Sequence, residues 1–142
     1  MAKIPSHLSD IVRDQDPLIL RPKDSVLHAC RHMQRRRVGA VLVADTDGRL
    51  IGIFTGRDAV CRIGAEGRDA KATTLADVMT PGPVTMPPSG TAIDALRLMQ
   101  DGGFRHVPVV QGGCIVGIVS RGDFRAADHR RLDEETGLWE RV

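Results

Sequence analysis

Gly52-Ile53-Phe54-Thr55-Gly56-Arg57-Asp58 and Gly117-Ile118-Val119-Ser120-Arg121-Gly122-Asp123 are two versions of one segment. Thr55 and Ser120 stand 65 residues apart, as do Asp58 and Asp123. Further upstream the offset is 66: Pro17 matches Pro83, Pro22 matches Pro88, Ala29 matches Ala95 and Met33 matches Met99. The one-residue shift falls between Asp45-Thr46-Asp47-Gly48 and Gln111-Gly112-Gly113. Both stretches read as turns, where length changes are easiest. Leu8-x-Asp10 and Leu75-x-Asp77 carry the match toward the N-terminus. A repeat of this length decides the architecture, because both copies must form the same small unit.

Each copy starts with an extended stretch, 18–21 or 84–87, bracketed by prolines as suits an edge strand. A helix follows. Val26, Ala29, Cys30 and Met33 in the first copy, and Ala92, Ala95, Leu96 and Met99 in the second, recur at i, i+3, i+4, i+7 and form one apolar face. Ser25 and Thr91 are the expected caps. Two strands come next, 38–44 with 50–54 and 107–110 with 115–119, each pair joined by a Gly-containing turn. A second helix begins near Thr55 or Ser120. The unit is strand–helix–strand–strand–helix, and the fold class is α+β. Neither half is expected to bury its sheet alone, so the halves are expected to pack face to face with pseudo-twofold symmetry. The boundaries are 8–68 for the first repeat, 69–75 for a linker, 76–127 for the second repeat and 128–142 for a tail. The joining stretch 63–74 is rich in Gly, Ala and charge, which predicts a solvated linker.

Composition narrows the function classes. Hydrophobic residues make up 42% of the 142 residues, enough for a real core. Aromatics are 3%, so the core is aliphatic and stacking platforms for single-stranded nucleic acid are missing. A net charge of +2 is too small for a nucleic-acid field. No apolar run approaches the roughly 18 residues of a membrane helix, and residues 1–10 hold no signal core. Cys30, Cys61 and Cys114 form no CxxC pair, so buried, reduced thiols in a cytoplasmic protein are expected rather than a disulfide or zinc framework. His28 and His32 are spaced i, i+4, but no third ligand lies at a predictable place, so no metal is expected. Ser120 lacks a nucleophile elbow, and no catalytic residues or catalytic cofactor are expected.

A hydroxyl three residues before a carboxylate is, first of all, a capping device for a helix N-terminus. The same geometry offers free amides to a phosphate and a carboxylate to the two hydroxyls of a ribose, while the apolar strand before it walls off a flat base.

Gly-h-x-(Thr/Ser)-x-x-Asp, closing each copy, resembles the nucleotide motif of cystathionine-β-synthase-type (CBS) repeats, as do the segments Met79-Thr80-Pro81-Gly82-Pro83-Val84-Thr85 and Phe104-Arg105-His106-Val107-Pro108-Val109. The similarity runs from about Leu8 to Ala127. It implies a tandem pair, often called a Bateman module, with a cleft for AMP, ADP, ATP, or sometimes NAD or S-adenosylmethionine, and frequent disc-like homodimers. Carried over, it implies that Asp58 and Asp123 hold ribose and that Thr55 and Ser120 contact ribose or α-phosphate. Leu18 and Val84 would line the base pocket, with Val41 and Val107 as the other wall. The resemblance further implies Arg105 as a basic phosphate contact. Thr85, His106, Pro108, Arg57 and Arg121 complete the nucleotide-binding set. The first repeat departs at Gly39 and Ala40, which stand where the second has Arg105 and His106. The implied function is adenine-nucleotide sensing that signals to an unidentified client protein on another chain. A structural dimerisation module without a ligand is the alternative, and a nucleotide-processing enzyme or a nucleic-acid binder are less well supported rivals.

Arg35-Arg36-Arg37 reads as a solvated, dipole-favouring helix end. In the tail, Leu132, Leu138, Trp139 and Val142 read as a segment packed on its own subunit, or as a docking peptide.

Overall fold

The computed structural model describes residues 7–124. Helices and strands are mixed, and the chain divides into two compact units, each discontinuous in sequence. The first-repeat unit takes residues 16–83 with 112–115; among the described residues the second-repeat unit takes 7–15, 84–111 and 116–124.

The first-repeat unit is built on a four-stranded sheet ordered β1-β2-β3-β4. β1 (Ile19–Leu20) runs parallel to β2 (Ala40–Ala44), with Ile19 opposite Leu42. β2 runs antiparallel to β3 (Leu50–Thr55). The register slips between Val43 and Ala44, so the extra residue of this copy is absorbed as a bulge beside its turn. In that turn the Asp45 carboxylate accepts from the amides of Asp47 and Arg49, both at 2.9 Å. β4 (Thr80–Pro81) closes the far edge, Thr80 opposite Ile53.

Helix α2 (Val26–Arg36) lies between β1 and β2 in sequence. The Ser25 hydroxyl caps it by accepting from the His28 amide at 3.1 Å. Its Val26, Ala29 and Met33 join Val41, Val43 and Phe54 in the core, and Cys30 packs at the edge. Its C-terminal cap, Arg37, is left-handed at φ 54°, a conformation that favours glycine. The matching residue in the other copy is Gly103, at φ 70°.

In the second-repeat unit α5 (Ala92–Gly102) is capped by Thr91, whose hydroxyl accepts from the Asp94 amide at 3.2 Å. The four residues that the spacing places on its apolar face, Ala92, Ala95, Leu96 and Met99, are at most 1% exposed. β5 (His106–Gln111) and β6 (Cys114–Ser120) form a hairpin across Gly112 and Gly113, both at positive φ, the two-residue turn that the right-handed twist of strands favours.

The leading helices are exchanged. α1 (Leu8–Val12), at the head of the first copy in sequence, sits in the second-repeat unit: the Leu8 amide donates to Gly90 O at 2.9 Å, and Leu8 and Val12 join its core. α4 (Leu75–Val78), at the head of the second copy, sits in the first-repeat unit, where the Leu75 amide donates to Asp24 O at 2.9 Å and Leu75 and Val78 are buried. Each exchange is marked by an isolated bridge, His7 with Thr91 and Ser25 with Thr74.

Three expectations are corrected. The strand expected over 84–87 is reduced to one parallel bridge, Met86 with Val109. In the first copy the Leu42 amide reaches Leu18 O at 2.9 Å, and the residue matching Leu42 is Pro108, which has no N–H to give Val84. The stretch 63–74 is solvated only in part. Ala70 O and Thr73 O accept from the amides of Leu27 and Val26, and Thr73 is buried, so the segment is fastened to the start of α2. The cysteines are not all buried: Cys61 and Cys114 are exposed, and only Cys30 is half-buried, its thiol pushed up by desolvation. The tail, with Leu132, Leu138, Trp139 and Val142, and also His129, lies outside the described residues.

Candidate functional site

Both hydroxyl–Asp pairs form at the end of the second hairpin strand. In the first-repeat unit Thr55 leaves β3 in an extended conformation and caps α3 (Gly56–Asp58), which runs on as a π-helical stretch, Ala59–Gly64. The Asp58 amide donates to Thr55 Oγ1 at 3.3 Å. Asp58 Oδ2 in turn accepts from the Thr55 amide at 2.9 Å and from its hydroxyl at 3.1 Å. In the second-repeat unit the Ser120 amide donates to Asp123 Oδ2 at 2.7 Å, and Arg121–Asp123 form a single 3₁₀ turn.

Such a box is not by itself a ligand site. The Thr74 amide donates to Asp77 Oδ2 at 3.1 Å at the head of α4, and these hydrogen bonds from Thr74 hold the Asp77 carboxyl below its ordinary value. Thr91 and Asp94 make a similar pair at α5. What separates Thr55–Asp58 and Ser120–Asp123 is what lies beside them. The Gly56 amide donates to Gly39 O at 3.0 Å, and at the matching place the Arg121 amide donates to Arg105 O at 2.9 Å. This bond draws the residues at the start of β2 and β5 against the cap. In the first copy they are Gly39 and Ala40, which bring no charge or donor side chain. In the second they are Arg105 and His106.

Arg105, Arg121 and Asp123 are exposed, and His106 is half-buried. The His106 imidazole is held below its ordinary pKa, first by desolvation, which outweighs the opposing pull of the Asp123 carboxylate; the Arg105 charge adds to the lowering. Arg105, His106, Ser120, Arg121 and Asp123 therefore gather at one backbone junction within a single unit, with the His106 imidazole in the field of Asp123 and Arg105. Val84 and Thr85 are exposed, and Val84 lies two residues before the Met86 bridge to β5, where the Met86 amide donates to Pro108 O at 3.1 Å.

The residues expected to wall the base differ in exposure. Val41 and Val107 are 0% exposed and Leu18 is 7% exposed, all three enclosed in their own cores, so their side chains back the sheet instead of presenting a surface. Pro108 is buried as well. Of the four wall residues only Val84, at 49%, is open to solvent.

Arg57 is exposed and makes no close approach to Asp58 in this conformation. The guanidinium at Asp58 is that of Arg62, with Nε 3.6 Å from Oδ1. Arg62 Nη1 also donates to Val78 O at 2.8 Å and Met79 O at 3.3 Å. Its i, i+4 spacing from Asp58 was the available signal. Comparison of the copies hides it, because the residue matching Arg62 is Ala127.

The other polar clusters are simpler. The His28 and His32 rings meet edge to face, 4.5 Å between centroids, and among the described residues no three His, Cys, Asp or Glu side chains gather as a metal would require. Arg36 pairs with Asp16, its guanidinium also reaching the Asp16 carbonyl. No helix among the described residues is long and apolar enough to cross a membrane.

A family model described as CBS domain matches residues 8–64 and 75–130. An uncharacterised Bacillus subtilis protein, YlbB, is 34% identical over 106 residues, covering 74% of this chain and 71% of its own. The CBS domain-containing protein CBSCBSPB2 of Arabidopsis thaliana is 39% identical over 102 residues, 72% of this chain but 19% of that protein; the chain spans less than a fifth of the length of such plant relatives. Among solved structures, a CBS-domain containing protein from Agrobacterium tumefaciens superposes with a TM-score of 0.79 at 31% identity, covering 87% of this chain and 93% of that one. A CBS domain protein from Pyrobaculum aerophilum, complexed with AMP, shares the fold with a TM-score of 0.80 at 22% identity, covering 90% and 98%.

Proposed function

We propose, for a chain that belongs to the CBS domain family and carries two of its domains in tandem, a regulatory role: it binds an adenine nucleotide, AMP, ADP, ATP or NAD, and passes its occupancy to a partner protein. Proteins built on CBS pairs are typically regulatory rather than catalytic. The observation that carries the reading is the cluster in the second-repeat unit. The Arg121–Arg105 backbone bond joins the stretch that carries Arg105 and His106 to the Ser120–Asp123 cap, and this supports the reading. Asp123 suits the ribose hydroxyls, Ser120 the ribose or α-phosphate, and Arg105 with Arg121 the phosphate charge. Val84 and Thr85 are the open surface for the base. The AMP held by the Pyrobaculum relative supports the ligand class.

The first site repeats the hydroxyl and carboxylate in Thr55 and Asp58, with Gly39 where Arg105 stands, and we assign it the weaker phosphate affinity. The caps at Thr74–Asp77 and Thr91–Asp94 favour a second reading for the first site alone, a structural corner without a ligand. Three unpaired cysteines suit a reducing, cytoplasmic setting. A homodimer with twofold symmetry is the expected assembly. Light scattering at micromolar concentration tests it, and a monomer would exclude it.

A ligand that binds only the folded chain stabilises it by RT ln(1 + [L]/Kd), about 2.7 kcal/mol at one hundred times Kd. Thermal unfolding should therefore rise with AMP, ADP or ATP and stay put with inorganic phosphate. Equal shifts with phosphate alone would exclude recognition of the base.

A further inference from the structure

We propose that Arg62 is an internal latch on the first nucleotide site: its guanidinium occupies the carboxylate of Asp58 that a ribose would need, and ties that carboxylate to the carbonyls of Val78 and Met79. This rests on the nucleotide reading of Thr55 and Asp58. The two Asp58 oxygens are divided, Oδ2 taken by the Thr55 amide and hydroxyl and Oδ1 faced by Arg62 Nε at 3.6 Å. Arg62 is held on its other side by Val78 O at 2.8 Å and Met79 O at 3.3 Å, the last turn of α4 and the residue that leads into β4. The side chain of Asp58 is 15% exposed and that of Arg62 is 42% exposed, so the carboxylate is the more sheltered partner of a pair near the surface.

A planar guanidinium with donors on two sides is suited to bridge a carboxylate and backbone carbonyls at once. A ribose diol needs the same Oδ1 lone pairs. Its arrival trades an ion pair for hydrogen bonds from uncharged hydroxyls to the carboxylate and releases Arg62 Nε from its anionic partner. The same guanidinium holds the α4–β4 corner through Nη1, so freeing its Nε from Asp58 loosens that hold and passes occupancy of the first site toward Thr80–Pro81 at the edge of the four-stranded sheet. Arg62 meets the first site at the Asp58 carboxylate, the group that would hold the ribose, so it competes for ribose. The second repeat has Ala127 at the matching sequence position, so the latch belongs to the first site.

The test is calorimetry of adenosine, which has no phosphate, on the full chain carrying Asp123→Ala to disable the second site, with and without Arg62→Gln. The expected result is a two- to five-fold tighter affinity with R62Q, about the size of a partly exposed ion pair. The gain should vanish in Asp58→Asn, whose neutral amide holds no guanidinium, and Arg62→Lys should restore the weaker affinity. Unchanged or weaker binding with R62Q, while the second site of D58N still binds AMP, overturns the latch and leaves the nucleotide reading standing. If no variant binds adenosine or AMP at either site, the nucleotide reading fails and the latch fails with it.

Discussion

The side-chain amide of Gln15 and the backbone of Ile118 are joined by two hydrogen bonds, Nε2 to Ile118 O at 2.8 Å and Ile118 N to Oε1 at 2.6 Å. In the first-repeat unit the matching strand residue is Ile53, which pairs with Thr80 of β4. One side chain thus does in one unit what a short strand does in the other. It also anchors the exchanged helix α1, which ends three residues before it, to the edge of β6. Gln15→Leu should leave an amide and a carbonyl on the open edge of β6 unpaired in a partly buried place, at about 1–3 kcal/mol. Urea unfolding of the variant reads this directly; a loss under about 0.5 kcal/mol would mean that water replaces the pair without penalty.

Gly117 lies under the same helix. A Cβ there would come within 2.7 Å of the Val12 Cβ and 2.6 Å of Gln15 Oε1, so α1 would have to lift. Gly52 occupies the matching place, where a Cβ would meet the flexible end of Met79. Gly117→Ala should therefore cost about 1–3 kcal/mol, and Gly52→Ala less, because a methionine side chain moves more cheaply than a helix. Equal losses in thermal melts of the two variants would contradict this account of the exchange.

Arg37 ends α2 at φ 54°, and the other copy uses Gly103 for the same cap. A non-glycine residue in that region carries about 1 kcal/mol of strain. Arg37→Gly should stabilise the fold by roughly that amount, offset slightly by the greater freedom of glycine when unfolded. Denaturant midpoints compare the two, and a lower midpoint for R37G would show that the arginine side chain is more than a tolerated cap.

The lowered His106 pKa has a definite consequence for pH. An unfolded histidine takes up its proton near pH 6.5, while folded His106, desolvated, resists it. Below that pH the unfolded state holds more protons, so stability falls as pH drops through about 6.5 and recovers above it. The slope should flatten in His106→Gln. Urea midpoints between pH 7.5 and 5.5 measure it, and a variant with the wild-type slope would assign the effect to another group.

The repeat, the helix faces and the capping residues were legible because they are local: Ser25, Thr91 and the i, i+3, i+4, i+7 stripes state them within a few residues. The exchange of α1 and α4 was not, since Leu8 and Leu75 are apolar residues ahead of a repeat and nothing local says which core receives them. The missing strand at Val84 was written in Pro108, but its lost amide matters only once the partner strand is known. The side a strand residue faces was not legible either. An apolar residue on a strand faces either the core or a ligand, and Val41 and Val107 proved to face the core. At the candidate site, the hydroxyl–carboxylate pairs were legible from their spacing and Arg105 from the family resemblance, whereas Arg62 was not, because it belongs to one copy only.

The central claim is that the chain binds phosphorylated adenosine and that the site closed by Ser120 and Asp123 is the tighter one. Each charge-assisted hydrogen bond contributes about 1.5–3 kcal/mol, roughly a ten- to hundred-fold difference in affinity. Only the second copy has Arg105 to make one beside its cap. The direct measurement is calorimetric titration of AMP into wild type, Asp58→Ala and Asp123→Ala, with Arg105→Ala titrated by AMP and by adenosine. The high-affinity transition should survive in D58A and disappear in D123A, and R105A should weaken AMP while sparing adenosine. An intact high-affinity transition in D123A, lost instead in D58A, would contradict the assignment.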